Sequence, residues 1–417
     1  MWWIILLIVA ILSLIYALWY NRLKIKASYS AFSKKGLVSR VWDKEFLNQK
    51  RKRTDPVADT LINEIMKNGE RDTINRFFNI INETDERLPE NLPSEVKKYF
   101  LETEKLPDWA DHKLIELGQE VFARNEVFIS MLLSFKSLPE CYTGSKGANV
   151  LYHTGRLNHS HGAHNAFGRR IAETSQFVIL ALSPRGLDPS GRGIRAAQKV
   201  RLIHAVIRFY LKNHDWDTEQ FDEPINQEDM AGTLMSFSAL ILEGLDLLDV
   251  DLTDEEKEAY IHTWRVVGHF MGVDEDLLPN NVKEALALGH AIIDHQKGES
   301  LQGKSLMKAL IEYNETAFPF KIHPNTLFKM YRFLIGDELS DMLGVPNTND
   351  DDQEDFEEDF KELIGTISDI NQSVMLSLMM KSISQIMLKA LVNYMDDNKK
   401  INFYIPESLK KDWGIDD

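Results

Sequence analysis

The stretch "RAAQKVRLIHAVIRFY", residues 195–210, sets a histidine on the apolar side of a helical pattern and hems it with arginines. At about 100° per residue, His204 shares a stripe with Val200, Ile207 and Leu211, while Arg201, Arg208 and Lys212 line the adjoining face. A neutral imidazole at an apolar boundary suits a metal, iron in particular, and neighbouring arginines suit the propionates of a haem. The plainer reading is a core histidine whose ring nitrogens are satisfied by neighbours. One helix leaves both open.

Three other places could carry chemistry. Four histidines crowd into "HTGRLNHSHGAHN", namely His153, His159, His161 and His164. His161 and His164 stand one helical turn apart, but no carboxylate lies near them at ligand spacing, so a polar loop and helix start is the better reading. The next segment, "GRRIAETSQF", places Arg170, Glu173 and Thr174 at i, i+3 and i+4, on one helix face. An Arg-Glu pair at this spacing is commonly surface support. Here the helix runs on into "FVILAL", so these charges enter a buried element and become candidates for a pocket wall. His269, in "WRVVGHFMGV", reads as structural, although with His204 it would complete a bis-imidazole pair. Cys141, the single cysteine, forms no intrachain disulfide and reads as a buried bystander in "LPECYTGS".

The elements that must position these residues are helical. From about residue 54 to 345 the apolar period is that of helices and alternating strand-like runs are scarce, which predicts an all-α body. Helices are expected at 56–68, 72–82, 94–103, 111–123, 126–137, 162–182, 193–213, 227–246, 254–272 and 280–296. Asp55 before Pro56 and Thr253 before "DEEKE" supply two of the starts, and "SPRGLDPSGRG" at 183–193 marks a loop. Residues 2–19, "WWIILLIVAILSLIYALW", carry no charge and are long enough to cross most of a hydrocarbon core of about 30 Å. They read as a transmembrane anchor. The basic residues after it, Arg22, Lys24, Lys26, Lys34, Lys35 and Arg40, place the body on the cytoplasmic side by the positive-inside rule.

The formal charge of −16 argues against a nucleic-acid partner. Residues 22–53 hold eleven Lys/Arg against two Asp/Glu, leaving 37 basic and 62 acidic residues from 54 onward, a balance of −25. Collar and body are therefore expected to face different surroundings. Residues 348–359, "TNDDDQEDFEED", read as an acidic connection, and the Met-rich helical pattern beyond it as core packing.

Seven segments in order, "LPDWAD" (106–111), "TGRL" (154–157), "RRIAET" (169–174), "AAQKVRLIHAVIR" (196–208), "PINQEDMAGTLMSFS" (224–238), "WRVVGHFMGV" (264–273) and "YRFLIGDELSDMLGVP" (331–346), resemble the latex-clearing-protein and mycophenolic-acid-pathway oxygenase family. The likeness spans roughly residues 50–350, and the anchor matches the family's membrane-bound branch. It implies an all-helical fold around one non-covalent haem b. The histidine of the family's "RLxHA" helix, the proximal iron ligand, maps onto His204. The distal arginine and threonine of an "RxxKT" pattern map onto Arg170 and Thr174. The family's lysine position holds Glu173, which suits proton handling or pairing with Arg170. Arg201 and Arg208 are expected near the haem propionates. The implied chemistry is O2-dependent cleavage of C=C bonds in isoprenoid chains.

The expected layout is an anchor at 1–20, a basic juxtamembrane segment at 21–53, one large helical haem-binding domain at 54–346, an acidic linker at 347–360 and a helical extension at 361–417. The expected activity is that of a membrane-anchored haem oxygenase acting on a hydrophobic substrate. A non-catalytic haem sensor or carrier and a membrane-tethered helical scaffold are the alternatives.

Overall fold

Thr253 begins a helix as its sequence predicts: its side chain accepts from the N–H of Glu256, and the Glu256 carboxylate accepts from the N–H of Thr253 at 2.9 Å. In the computed structural model helices account for most of the described residues, which are 40–68, 77, 92–153, 163–214, 216–317, 323–347, 356, 360 and 361. The apolar run at 2–19, the collar before Arg40, the segment 72–82 apart from Phe77, His159 and His161, and the C-terminal extension beyond Lys361 lie outside them.

In chain order the helices are α1 (Lys44–Lys50), α2 (Pro56–Asn68), α3 (Ser94–Glu102), α4 (His112–Leu132), α5 (Leu138–Thr143) and α6 (Gly147–His153). They continue with α7 (Ala163–Leu182), α8 (Arg192–Lys212), α9 (Thr218–Phe221), α10 (Gln227–Phe237) and α11 (Ala239–Leu247). The last are α12 (Asp254–Met271), α13 (Val282–Gln296), α14 (Leu301–Ala317) and α15 (Pro324–Met342). A π-helical turn, Leu133–Ser137, joins α4 to α5, and a 3-10 turn, Glu275–Leu277, precedes α13. Among the described residues there is no strand, only one bridge between Gly144 and Lys297.

Two departures from the expected helices have local causes. The segments expected at 111–123 and 126–137 are one helix bent at Asn125 (φ −112°, ψ 18°), whose side chain donates to the carbonyl of Val121 at 2.9 Å. The segment expected at 227–246 is two helices, because Ser238 (φ −121°, ψ −85°) breaks it and turns its hydroxyl onto the carbonyl of Leu234. Gln227–Leu247 is also the one described stretch apolar enough to cross a membrane, and it is mostly buried inside the fold.

Two apolar clusters form the interior. The larger is built from α4, α7, α10 to α15 and the start of α8, and the smaller from α2, α3 and the rest of α8 with Val150 and Trp216. Helix α8 thus bridges both: Ile194, Ala196 and Ala197 belong to the first, and Leu202, Val206, Ile207 and Leu211 to the second. The near end of the basic segment is part of this body. Lys50 is buried and bonds Asp274 at 2.7 Å and Asp276 at 2.6 Å, and Arg40 donates to the carbonyls of Glu275 and Leu278. Opposite charge draws collar and body together here, where the sequence suggested that they face apart. At the other end Phe356 and Phe360 stack at 5.6 Å, and Phe360 meets Phe333 edge-on, so the acidic stretch carries aromatic side chains back to the larger cluster.

Trp109 of "LPDWAD" is gripped by α12. The Arg265 guanidinium lies 3.8 Å from its ring centroid, and His262 and His269 meet it edge-on at 5.9 and 6.1 Å. His262 Nε2 accepts the N–H of Asp111 at 2.9 Å, which requires the neutral ring. Burial, then the Arg265 charge, lowers its pKa from 6.5 to about 4. A depressed histidine contributes stability that is present above 6.5 and lost as pH falls through about 4. The unfolding midpoint in urea should therefore drop across that window more steeply for the natural chain than for His262→Gln; parallel curves would contradict this.

Candidate functional site

Helix α8 is buried although its sequence is rich in cations, and each of its three buried guanidinium groups is met by an acid from another segment. Arg195 reaches Glu104 at 3.1 Å. Arg201 is held by both oxygens of Asp55, with Nη2 at 2.8 Å from Oδ1. Arg208 donates to Asp59 at 2.7 Å and to the carbonyl of Ile225 at 3.2 Å. Burial works against the charge of Arg201, and the Asp55 carboxylate more than offsets it, so its pKa is raised. Arg201 and Arg208 flank His204 at i−3 and i+4, and His204 itself is half-buried. The stripe of Val200, Ile207 and Leu211 is apolar and packed, as expected.

The backbone beside Asp55 is in turn held by the first residue of α10. The Gln227 amide donates to the carbonyls of Thr54 (2.9 Å) and Gly272 (3.0 Å), and its oxygen accepts from the N–H of Asp274 (2.7 Å). Arg51 pairs with Asp222, Asp229 and Glu228. Gly272 ends α12 in the left-handed region (φ +80°), and a Cβ there would lie 2.5 Å from Arg201 Nε and 2.6 Å from Asp55 Oδ2. "INQED" and "GHFMGV" are thereby explained as the frame around the Asp55–Arg201 pair. Asp55 appeared in the sequence only as a helix start, and Asp59 not at all. The signal for both was an acidic i, i+4 pair at the start of a helix.

Helix α7 packs along α8 through the loop at 183–191. The carbonyl of Gly186 accepts from the N–H of Gly193 at 2.8 Å, and a Cβ on Gly193 would come within 2.6 Å of the Cα of Ala181, so the two backbones touch there. Arg170 stands twelve residues before Leu182 and His204 twelve after Arg192. At a rise of 1.5 Å per residue both lie about 18 Å from the connection, at the same level of the pair.

Arg170 Nη1 is buried and has no hydrogen-bond partner among the described residues. Burial lowers the Arg170 pKa, while Tyr142, Glu173 and Cys141 act to hold its charge. Glu173 is buried and Thr174 half-buried on the same helix face. Tyr142 and Cys141, from α5, are neighbours of Arg170 that the sequence did not single out for this place. Burial pushes the Cys141 thiol up to about 11, and it donates to the Ser236 hydroxyl at 3.2 Å, which agrees with an inert cysteine. Among the described residues no group of His, Cys, Asp and Glu could hold a metal ion as a cluster.

An all-helical body with paired α7 and α8 at its centre defines the class of this protein. A solved structure of Latex Clearing Protein LCP in the closed state shares the fold, with a TM-score of 0.68 over 91% of this chain and 98% of that one at 19% identity. The rubber oxygenase of Streptomyces sp. (strain K30) is 23% identical over 311 residues, 73% of this chain and 71% of that protein. The family model for the catalytic domain of ER-bound oxygenase mpaB/B' and rubber oxygenase matches residues 135–367, and the chain belongs to that family. It is an oxygenase.

The Asp55 side chain is 2% exposed and that of Asp59 20%. Asp55→Ala, which strands a buried guanidinium, should lower the free energy of unfolding by about 3–5 kcal/mol, and Asp59→Ala by clearly less. Equal losses in urea melts would show that burial does not set the strength of these pairs.

Proposed function

We propose that the chain is a membrane-anchored haem-b oxygenase that oxidises or oxidatively cleaves C=C bonds of a hydrophobic, isoprenoid-type substrate. The observation that carries this reading is the partnerless, buried Arg170 Nη1, level with His204 across the α7–α8 pair. A buried guanidinium nitrogen without an acceptor is costly unless a ligand supplies one. The residues present fit a haem: a half-buried imidazole on an apolar stripe, and Arg208 Nη2, buried and likewise without a hydrogen-bond partner among the described residues, available to a propionate. Arg201 is engaged by Asp55, so its part in holding a propionate would be shared.

In this reading His204 would hold the iron of a haem, which when bound would supply the activation of O2. Arg170 and Thr174 would orient and stabilise developing negative charge, in surroundings where water is scarce and such interactions are strong. Glu173, one turn from Arg170, balances its charge and can hold a proton at its carboxylate. The isoprenoid substrate follows from the name of the Streptomyces relative and from the apolar interior. The run at 2–19 and the basic residues after it support a single-pass anchor at 1–20, a juxtamembrane segment at 21–53 and a catalytic body at 54–346 on the cytoplasmic side. The acidic stretch at 347–360 then leads to the extension at 361–417.

His204→Ala in the detergent-solubilised full chain, expressed with ample haem, is expected to lose the Soret band; an intact band removes His204 as the ligand. Arg170→Ala and Thr174→Ala are expected to keep the band and lose about tenfold or more of O2 uptake with a prenyl lipid. Undiminished uptake in both removes them from the reaction.

A further inference from the structure

Away from the α7–α8 pair, four ionisable side chains form a line from the surface to the interior. His290 Nε2, on α13, lies 3.0 Å from Glu243 Oε1 on α11. The other oxygen of Glu243 is 3.1 Å from Lys136 Nζ, in the π-helical turn. Lys136 Nζ is in turn 2.5 Å from Glu140 Oε1 on α5. The outer end is open, with the His290 side chain 53% exposed, and the inner end is closed, with those of Lys136 and Glu140 at 5% and 4%. Glu140 Oε2 is buried without a hydrogen-bond partner among the described residues.

Two carboxylates, one ammonium and one imidazole are electrically neutral only with one proton more than the salt bridges alone supply. That proton has two places to reside, His290 and Glu140. A surface ion pair would need neither an interior carboxyl nor an unbonded oxygen. The neighbours on other elements do not supply the missing charge. From α7, Arg170 approaches Cys141 and Tyr142; from α10, Ser236 meets Cys141; from α15, Tyr331 comes near Tyr142; and α14 presents the backbone of Gly303 to the carbonyl of Tyr142. Cys141 feels both Glu140 and Arg170, so the inner end of the line adjoins the Arg170 side of the fold.

We propose that Glu140 is a proton-exchanging carboxyl, connected to solvent through Lys136, Glu243 and His290, that serves the side of the fold holding Arg170; that service rests on the function proposed above. A proton leaves the Glu140 carboxyl for an acceptor on that side. Glu243 first accepts a proton from His290, turns it toward Lys136 and hands it on as Lys136 gives one N–H proton to Glu140, so Lys136 and Glu243 end in the charge states in which they began. His290 then takes up a fresh proton from solvent. The electrostatics agree with this assignment. Burial drives the Glu140 carboxyl up to about 7 against the pull of Lys136, and the Glu243 hydrogen bond raises His290 above its ordinary value. The Glu140 carboxyl takes up its proton as pH falls through about 7, His290 takes up its own at higher pH than a free imidazole, and Glu243, held down to about 2 by its His290 hydrogen bond, does not compete.

The test uses the full chain without added haem, with glutamate labelled by carbon-13 at the side-chain carboxyl and followed by NMR from about pH 5 to about pH 9. One carboxyl should titrate near neutrality in the natural chain and be missing in Glu140→Gln, with unchanged helical circular dichroism. In His290→Gln its midpoint should rise by about one pH unit, because the extra proton has lost its second site. No carboxyl titrating above about pH 6 in the natural chain, or an unmoved midpoint in His290→Gln, overturns the proposal. With haem supplied, Glu140→Gln should flatten the neutral limb of the pH profile for prenyl-lipid oxidation. An unchanged profile beside an intact titration overturns the service to Arg170. Loss of haem binding by the natural chain would instead strike the proposed function and leave the titration as it is.

Discussion

The Asp55–Arg201 ion pair is the constraint on which the arrangement around α8 depends. A helix with Arg195, Lys199, Arg201 and Arg208 among its buried residues cannot enter an interior unless acids arrive with it, because an unpaired buried charge costs several kcal/mol. Those acids come from α2 and from the strand-less segment before α4, far away in sequence. Helix α8 is therefore fixed in height and rotation by electrostatics as well as by apolar contact. His204, between two of the anchored arginines, inherits that fixity.

The same logic explains why so many sequence segments are needed to hold one imidazole in place. Gln227 ties Thr54, Gly272 and Asp274 together, and Arg51 is embedded among three acids beside it. Gly272 leaves room for the pair that it borders. Helix α7 then lies along the fixed helix, and the turn at Gly186 and Gly193 sets its level.

Much of the helical skeleton was legible because an apolar stripe repeats along each element. Pro56–Asn68 and Asp254–Met271 carry both the stripe and a recognisable start. The bend at Asn125 was visible as a gap between two expected helices, while the break at Ser238 was hidden inside an unbroken apolar run. Helices α1, α5, α6, α9, α14 and α15 were not among the expected segments. The first four are short, and "LQGKSLMKALIEYNETA" of α14 alternates small, polar and apolar residues without a clear stripe. For the site, residue type and spacing pointed to His204, Arg170, Glu173 and Thr174, but they could not show which acid answers which arginine. Such pairs join residues about 150 positions apart. Periodicity is a local property, and charge pairing across a fold is not.

The π-helical turn at Leu133–Ser137 has a consequence for how this fold can vary. A wide turn holds one residue more than an α-helical turn, and that residue offsets everything after it by roughly 100° about the axis. Removing a single amino acid there would leave a continuous helix yet swing its downstream face to another quadrant, parting Lys136 and Glu140 from their surroundings. Length in this short stretch therefore behaves as an angular setting, and the chain tolerates substitution there more readily than deletion.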